Sequence, residues 1–390
     1  MDKYKIHQFS NKLLQKSVFP HLQHYVKSMS SGKILNGENF APISINVDLT
    51  TGCTFSCPHC IDKEIINTGR VLNLDYIKTL ISDWSKNGLK SVILIGGGEP
   101  TIYPHFEEVV KFIKKLGLQL GIVSNGTRID RIKKIVNILG SKDWVRFSID
   151  AGTDESFQKA HNPLVKIKLD DVLSGAKSLR SKNKELQIGY SFLIIGTGKV
   201  MNGIKLINNI SEISVAAKLA KENGFSYLSV KPYIDPEGTR STEIDRNDLN
   251  KISKEIKEAK KYENEKFKVI ESVNLRVFYD DSLKKSMKNQ SKICHVQFFR
   301  LVVTPDGIFQ CSLWRGFDNA KIIDANKAIN KEYYKEFNKK RIQILNNFNA
   351  KKICSEVKCL YSPFNSWAEK EISGHKDNIK PKEDFNDYFL

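Results

Sequence analysis

Up to about Asp235 the chain alternates short β-branched apolar runs with longer amphipathic segments. That switch of hydrophobic period, from two residues to about 3.6, predicts βα units around a parallel sheet. Strands are expected at 43–49, 91–95, 119–124, 144–149, 187–195 and 227–231, and helices at 74–86, 106–116, 129–139, 169–181 and 211–223. Each right-handed crossover lays its helix on the same outer side, so the sheet must curl. The expected fold class is α/β, a partial (β/α)6 TIM-like barrel with a small C-terminal α+β unit. The texture changes after Asp235: a charged, helical stretch precedes one strand, and Thr304-Pro305-Asp306-Gly307 then reads as the turn of a hairpin. The expected divisions are an N-terminal helical extension (1–42), the barrel (43–240), a helix and strand connector (241–290) and a cysteine-bearing unit (291–390).

Length and composition narrow the class. At 390 residues and 40% hydrophobic, the chain can bury a large core. Its longest apolar runs fall far short of the roughly 20 residues a bilayer span needs, and no signal-peptide core precedes them. The expected location is the cytoplasm, where thiols stay reduced and clustered cysteines point to metal or catalysis. A net charge of +18 raises the question of a polyanionic partner such as RNA. Lysine is spread along the chain without an aromatic-interleaved basic stripe, and the run from Lys254 to Lys268 mixes both signs as a solvated helix face does. Nucleic acid is therefore the disfavoured partner.

Three of the seven cysteines, Cys53, Cys57 and Cys60, fall within eight residues directly after the first expected strand. The spacing C-x3-C-x2-C suits three corners of an iron-sulfur cubane. Zinc is the alternative, but a structural zinc site asks for four protein ligands. The next cysteine along the chain is Cys294, which leaves His59 as the nearby fourth candidate.

Together with Ile95-Gly-Gly-Gly-Glu-Pro100 after the second strand, this loop resembles the radical S-adenosylmethionine (radical SAM) family, and the resemblance covers roughly residues 43–231. It implies that Cys53, Cys57 and Cys60 bind a 4Fe-4S cluster whose open iron is chelated by S-adenosyl-L-methionine. The missing fourth ligand is then the cofactor, the open-position logic of catalytic metals generally. The resemblance further assigns Gly97, Gly98 and Glu99 to the methionyl amino group, Ser124 and Asn125 to the cofactor's carboxylate or ribose, and Ser148 and Asp150 to ribose or substrate. His59 stands where the family often has an aromatic residue near adenine. Taken as residues alone, the Gly-Gly-Glu run is an ordinary tight turn, and Ser, Asn and Asp are ordinary caps and turn formers. Lys231 closes the sixth strand, either as a solvated rim lysine or as a contact to an anionic substrate or the cofactor.

Cys294, Cys311, Cys354 and Cys359 supply a second complete thiolate set. Cysteine, glycine hairpin, cysteine, gap and closing pair resemble the twitch domain, the short form of the SPASM domain, which would need more cysteines than remain. The spacing departs slightly from that pattern, with three residues between Gly307 and Cys311 and four within the closing pair. A second 4Fe-4S cluster is implied, with zinc as the alternative for four thiolates.

The resemblance implies an oxidoreductase that reductively cleaves S-adenosylmethionine to a 5'-deoxyadenosyl radical and abstracts hydrogen from an unactivated carbon. An auxiliary cluster nearby favours net oxidation. Three plus four uses every cysteine, leaving no thiol to return hydrogen, which disfavours a thiol-dependent epimerase. The expected substrate is a small polar molecule, a sugar, aminocyclitol or nucleotide derivative, because only 52 residues precede Cys53, too few for a leader-peptide recognition domain. The alternatives are maturation of a ribosomal peptide by crosslinking or epimerisation, and an RNA-modifying or nucleic-acid-binding iron-sulfur protein. A reductant such as flavodoxin or ferredoxin is the implied partner.

Overall fold

A computed structural model describes residues 8–31, 41–201, 203–235, 243–288, 290–354, 357–374 and 379–390. The strands are β1 (Ser44–Asp48), β2 (Ser91–Ile95), β3 (Gln119–Ser124), β4 (Trp144–Ser148), β5 (Gln187–Ile194), the short ribbon β6 (Val200–Met201) and β7 (Ile204–Lys205), then β8 (Tyr227–Pro232), β9 (Lys268–Glu271), β10 (Arg300–Thr304), β11 (Gly307–Phe309) and β12 (Lys321–Ile323). Apart from the ribbon they form one open sheet in the order β12-β11-β10-β1-β2-β3-β4-β5-β8-β9. The six expected barrel strands stand consecutively and parallel within it, so the sheet is a partial barrel.

Both margins of the six are extended. β9, expected as part of the connector, adds a seventh parallel strand against β8. The hairpin β10-β11 forms around the expected turn, where the Thr304 hydroxyl donates to the Gly307 carbonyl at 3.2 Å. It does not stand apart: β10 pairs parallel with β1, Ser44 opposite Arg300 and Val47 opposite Val303. An open barrel leaves β1 with unpaired backbone groups along a wholly buried strand, and β10 satisfies them.

Strand alternation sorts the two faces. Val145 and Phe147 are buried in the core beneath the outer helices, with Leu80 and Trp84 from the helix Leu74–Lys86 and Val110 and Ile113 from Phe106–Lys115. Their neighbours Trp144, Arg146 and Ser148 therefore face the concave side. Register places Arg146 beside Gly189, and Gly189 beside Tyr227. A Cβ at Gly189 would lie 2.3 Å from the Tyr227 ring, and one at Gly121 2.3 Å from Trp144, so two large aromatics fit inside only because two strands carry glycine.

A second core joins the ends of the chain. Val18, Leu22 and Tyr25 pack with Phe298, Phe299, Phe364 and Leu390, and the Tyr25 hydroxyl lies 2.8 Å from His295 Nδ1. The last residues run beneath the barrel: the Ser91 hydroxyl donates to the Tyr388 carbonyl at 2.8 Å, and Phe389 packs edge-on to Trp144. The end of the barrel opposite the cysteine loop is thereby covered. The helix Asp154–His161 was not expected, since its sequence, DESFQKAH, has a single large apolar residue. No helix among the described residues is long and apolar enough to cross a membrane.

Crowding at the glycine supplies a test. Gly189→Ala is expected to lower stability by about 1–3 kcal/mol through overpacking against Tyr227, measured by urea unfolding. A variant as stable as the parent would mean that Tyr227 is not confined as described.

Candidate active site at the C-terminal strand ends

The loop from Leu49 to Asn73 starts where β1 ends and is pinned on every side. Thr51 N–H donates to the Arg70 carbonyl at 2.9 Å, Cys53 N–H to Asn67 Oδ1 at 2.7 Å, and Leu164 N–H to the Thr54 carbonyl at 2.9 Å. Glu99 N–H donates to the Gly52 carbonyl at 2.7 Å, which joins the loop to the turn after β2. That approach demands glycine, because a Cβ on Gly98 would meet the Thr50 carbonyl oxygen at 2.3 Å.

Within this frame Cys53, Cys57 and Cys60 are half-buried and close enough that each thiolate charge would act on another. Burial pushes the Cys53 thiol up to about 11 and Cys60 to about 12; Cys57, facing both of the others, is also raised well above its ordinary value. Three thiolates here require a strongly cationic centre, and Phe55 N–H already points at Cys53 Sγ from 3.4 Å. The donor set thus fits an iron-sulfur cluster with one iron left to another ligand. The buried Nδ1 of His59, beside Cys60, has no hydrogen-bond partner among the described residues.

Glu99, at the turn after β2, is tied into the chain itself. Its carboxylate is buried and receives the Thr101 N–H at 3.0 Å, the Thr101 hydroxyl at 2.5 Å, the Ser124 hydroxyl at 2.8 Å and the Asn125 N–H at 2.6 Å. Asn125 in turn donates through Nδ2 to the Thr54 hydroxyl at 2.9 Å and receives Thr127 N–H at 3.0 Å. Glu99, Ser124 and Asn125 therefore lock the ends of β2 and β3 to the cysteine loop. The turn at Gly97 and Gly98 stays beside the loop, with Gly97 N–H on Asp48 Oδ2 at 3.1 Å.

Across the opening, Asp150 adopts φ +54°, a conformation held by the Leu193 N–H on Oδ1 at 2.7 Å and by Asn209 Nδ2 on its carbonyl at 2.7 Å. Its Oδ2 faces His59 Nε2 at 3.7 Å and His161 Nε2 at 3.8 Å. Burial alone would raise this carboxyl; His59, His161 and Lys231 outweigh it and hold the acid below its ordinary range. His161 lies between two groups, Nε2 at 2.8 Å from the Ile149 carbonyl and Nδ1 at 3.2 Å from Cys57 Sγ. Burial and the nearby Arg146 push Lys231 down to about 8, against the pull of Asp150. Ser148 is half-buried on the concave side.

The four later cysteines gather separately. Cys294 and Cys354 each face Cys359 and Cys311, and burial raises the Cys294, Cys354 and Cys359 thiols. The two groups are joined by Arg315, four residues after Cys311. Its Nη1 lies 2.6 Å from Asp48 Oδ2 and its Nε 3.1 Å from Asp62 Oδ1, all three side chains buried. Burial would discharge the guanidinium, but Asp48, Asp62 and Cys60 more than offset it and raise its pKa.

Sequence reading missed Arg315, His161, Arg146 and Arg300. For His161 a weak signal existed, a histidine ending a short segment after a strand end; the arginines lack any local signature.

Residues 47–206 match the model of the radical SAM superfamily. The chain is 32% identical over 115 residues to an S-adenosylmethionine-dependent nucleotide dehydratase of Thermoplasmatales archaeon (strain ISO4-H5), a match covering 28% of this chain and 38% of that protein. It is 29% identical over 117 residues to mycofactocin maturase MftC of Mycobacterium tuberculosis (strain ATCC 25618 / H37Rv), covering 30% of this chain and 29% of that one. The chain thus spans well under half the length of these curated relatives. Its fold resembles that of Streptococcus suis SuiB bound to S-adenosylmethionine, with TM-score 0.60 and 15% identity over 95% of this chain and 81% of that chain.

The lowered Lys231 makes stability depend on pH. Below about 8 the lysine is charged whether folded or unfolded, and folding bears its desolvation; between about 8 and the ordinary value of 10.5 the unfolded chain holds more protons, so that penalty fades as pH rises. In phosphate-free buffer Lys231→Met is expected to melt above the parent at pH 7, with the gap closing towards pH 10. A gap that stays constant or widens would contradict the placement of this amine.

Proposed function

We propose, from the match of residues 47–206 to the radical SAM superfamily model, that the chain is a member of that superfamily and an oxidoreductase acting on a small polar substrate, such as a sugar, aminocyclitol or nucleotide derivative, on the concave side of the barrel. The observation that carries this reading is the convergence of Cys53, Cys57 and Cys60 at the C-terminal end of β1, apart from the four other cysteines. Cys53, Cys57 and Cys60 would hold a 4Fe-4S cluster, and Cys294, Cys311, Cys354 and Cys359 a second. When bound, the first cluster with S-adenosylmethionine supplies reductive cleavage of the sulfonium and a radical able to take hydrogen from carbon.

The chain's own residues orient and enclose. Glu99, Ser124 and Asn125 fix the loop ends so that Gly97 and Gly98 offer backbone to the cofactor's amine at no conformational cost during turnover. Asp150, held by Leu193 N–H, would position His59 for the adenine, and Ser148, the last residue of β4, would be available to ribose or substrate. The chain beneath the barrel covers its far end and would limit the entry of water from that side. Arg315 keeps the two cysteine groups in fixed relation, which suits one-electron transfer out of the substrate and net oxidation. Flavodoxin or ferredoxin would supply the initiating electron.

Peptide maturation is the second reading, favoured by the similarity to a mycofactocin maturase. Deuterium transfer into 5'-deoxyadenosine from labelled sugars, aminocyclitols or nucleotides, against labelled peptides, separates the two. The reconstituted, reduced protein is expected to form 5'-deoxyadenosine, and Cys57→Ala to form none. Undiminished product from that variant would refute the assignment of the first cysteine group.

A further inference from the structure

We propose that the concave side of the barrel contains a subsite for a doubly charged oxyanion of the substrate, a phosphate monoester or a pair of carboxylates, gripped by Arg146 with Lys231 towards the cysteine loop and Arg300 towards the C-terminal cysteines. The proposal deepens the reading above and rests on it in one respect, that substrate enters on this face.

Arg146 is central. It projects inward from the middle of β4 and is held in place before any ligand arrives: its guanidinium lies 5.3 Å from the Trp144 ring centroid and bonds the Tyr227 hydroxyl. Both aromatics are accommodated by strand glycines, Gly121 and Gly189. A guanidinium so pinned presents its fork in one orientation, which is how arginine recognises carboxylate and phosphate. Its Nε is buried with no hydrogen-bond partner, an unmet donor of a kind that folded proteins seldom leave.

Two further cations stand within its field. Lys231 lies next to last in β8, two inward-facing positions beyond Tyr227, and is lowered by burial and then by Arg146. Arg300, at the start of β10, donates to Asn46 Oδ1 at 2.8 Å, and burial, Arg315 and Arg146 all lower it. Among the described residues neither Arg146 nor Arg300 has a carboxylate partner. Asp150, the acid that acts on Lys231, already receives Leu193 N–H and faces two histidines.

Enclosed charges of one sign repel strongly where water is scarce, and proteins ordinarily pair them. Arg315, whose charge acts on Arg300, shows the usual solution with two aspartates. Arg146 and Arg300 lack it, and Lys231 has only Asp150, which also faces two histidines. The missing counter-charge would arrive with a ligand, and more than one positive group favours a dianion over a single carboxylate. Arg300 also faces Cys311 and Cys359, so its share of the grip is the smallest of the three.

The test is calorimetric titration of inorganic phosphate and, separately, of succinate into the anaerobically reconstituted full chain in low-salt, phosphate-free buffer. Saturable binding of at least one anion is expected. Arg146→Met should weaken it about tenfold or more, the loss typical of a charge-assisted hydrogen bond, Lys231→Met several-fold, and Arg300→Gln least. Arg146→Lys should bind between the parent and Arg146→Met, and Lys257→Met on an outer helix should bind as the parent does. Tighter phosphate identifies a phosphate ester as the substrate group; tighter succinate identifies paired carboxylates. Absence of binding by both anions, or binding by Arg146→Met equal to the parent's, overturns the subsite. Should Arg146→Met fail to fold, parent-like binding in both Lys231→Met and Arg300→Gln overturns it equally. Neither readout involves cofactor cleavage, so a protein that forms 5'-deoxyadenosine yet binds no anion loses the subsite and keeps the family chemistry, and the converse result separates them the other way.

Discussion

A buried guanidinium holds this molecule's two cysteine groups in one frame. Arg315 reaches Asp48 at the end of β1 and Asp62 just past Cys60, while its own backbone follows Cys311. Three charges taken out of water are tolerable only together: removing one partner of such a pair typically costs about 3–5 kcal/mol, because the remainder stay buried and uncompensated. Pairing of β10 with β1 brings Arg315 to this position, and the turn at Gly97 completes it by donating to the same oxygen of Asp48. The cysteine loop, the glycine turn and the C-terminal hairpin are thus coupled through a few atoms.

Around that point the polar groups divide by task. Glu99, Ser124 and Asn125 spend their hydrogen bonds inside the chain, tying adjacent strand ends to the loop. Asp150, His59 and His161 form a second wall beside Cys57. On the concave face between them, Arg146 and Arg300 have no carboxylate partner among the described residues. Rigid walls with an uncompensated interior suit a protein whose remaining ligands come from outside.

The six barrel strands and most of their helices were legible in the sequence because hydrophobic period reports them directly, and the cysteine spacing and glycine turn were legible because both lie within short segments. Long-range placement was not. Nothing local says that β10 will lie against β1, so the hairpin reads as an appendage although it is an edge of the same sheet. Arg146 and Arg300 look like any basic residue in a lysine-rich chain until register assigns them inward positions. Glu99 was expected at the cofactor's amine; that its carboxylate answers donors from the next strand end is something spacing along the chain cannot reveal. Asp150 and His161 meet because a short helix returns the chain to the loop, and that helix lacks an apolar stripe strong enough to announce it.

The central claim is that Cys53, Cys57 and Cys60 leave one corner of an iron-sulfur cluster to a small molecule. Electron paramagnetic resonance of the reduced, anaerobically reconstituted protein tests it most directly, recorded with and without S-adenosylmethionine isotopically labelled at its amino nitrogen. The account predicts a cluster signal that shifts on addition and acquires hyperfine coupling from that nitrogen. A signal indifferent to the molecule, or a protein that retains zinc and no acid-labile sulfide at these cysteines, would contradict it.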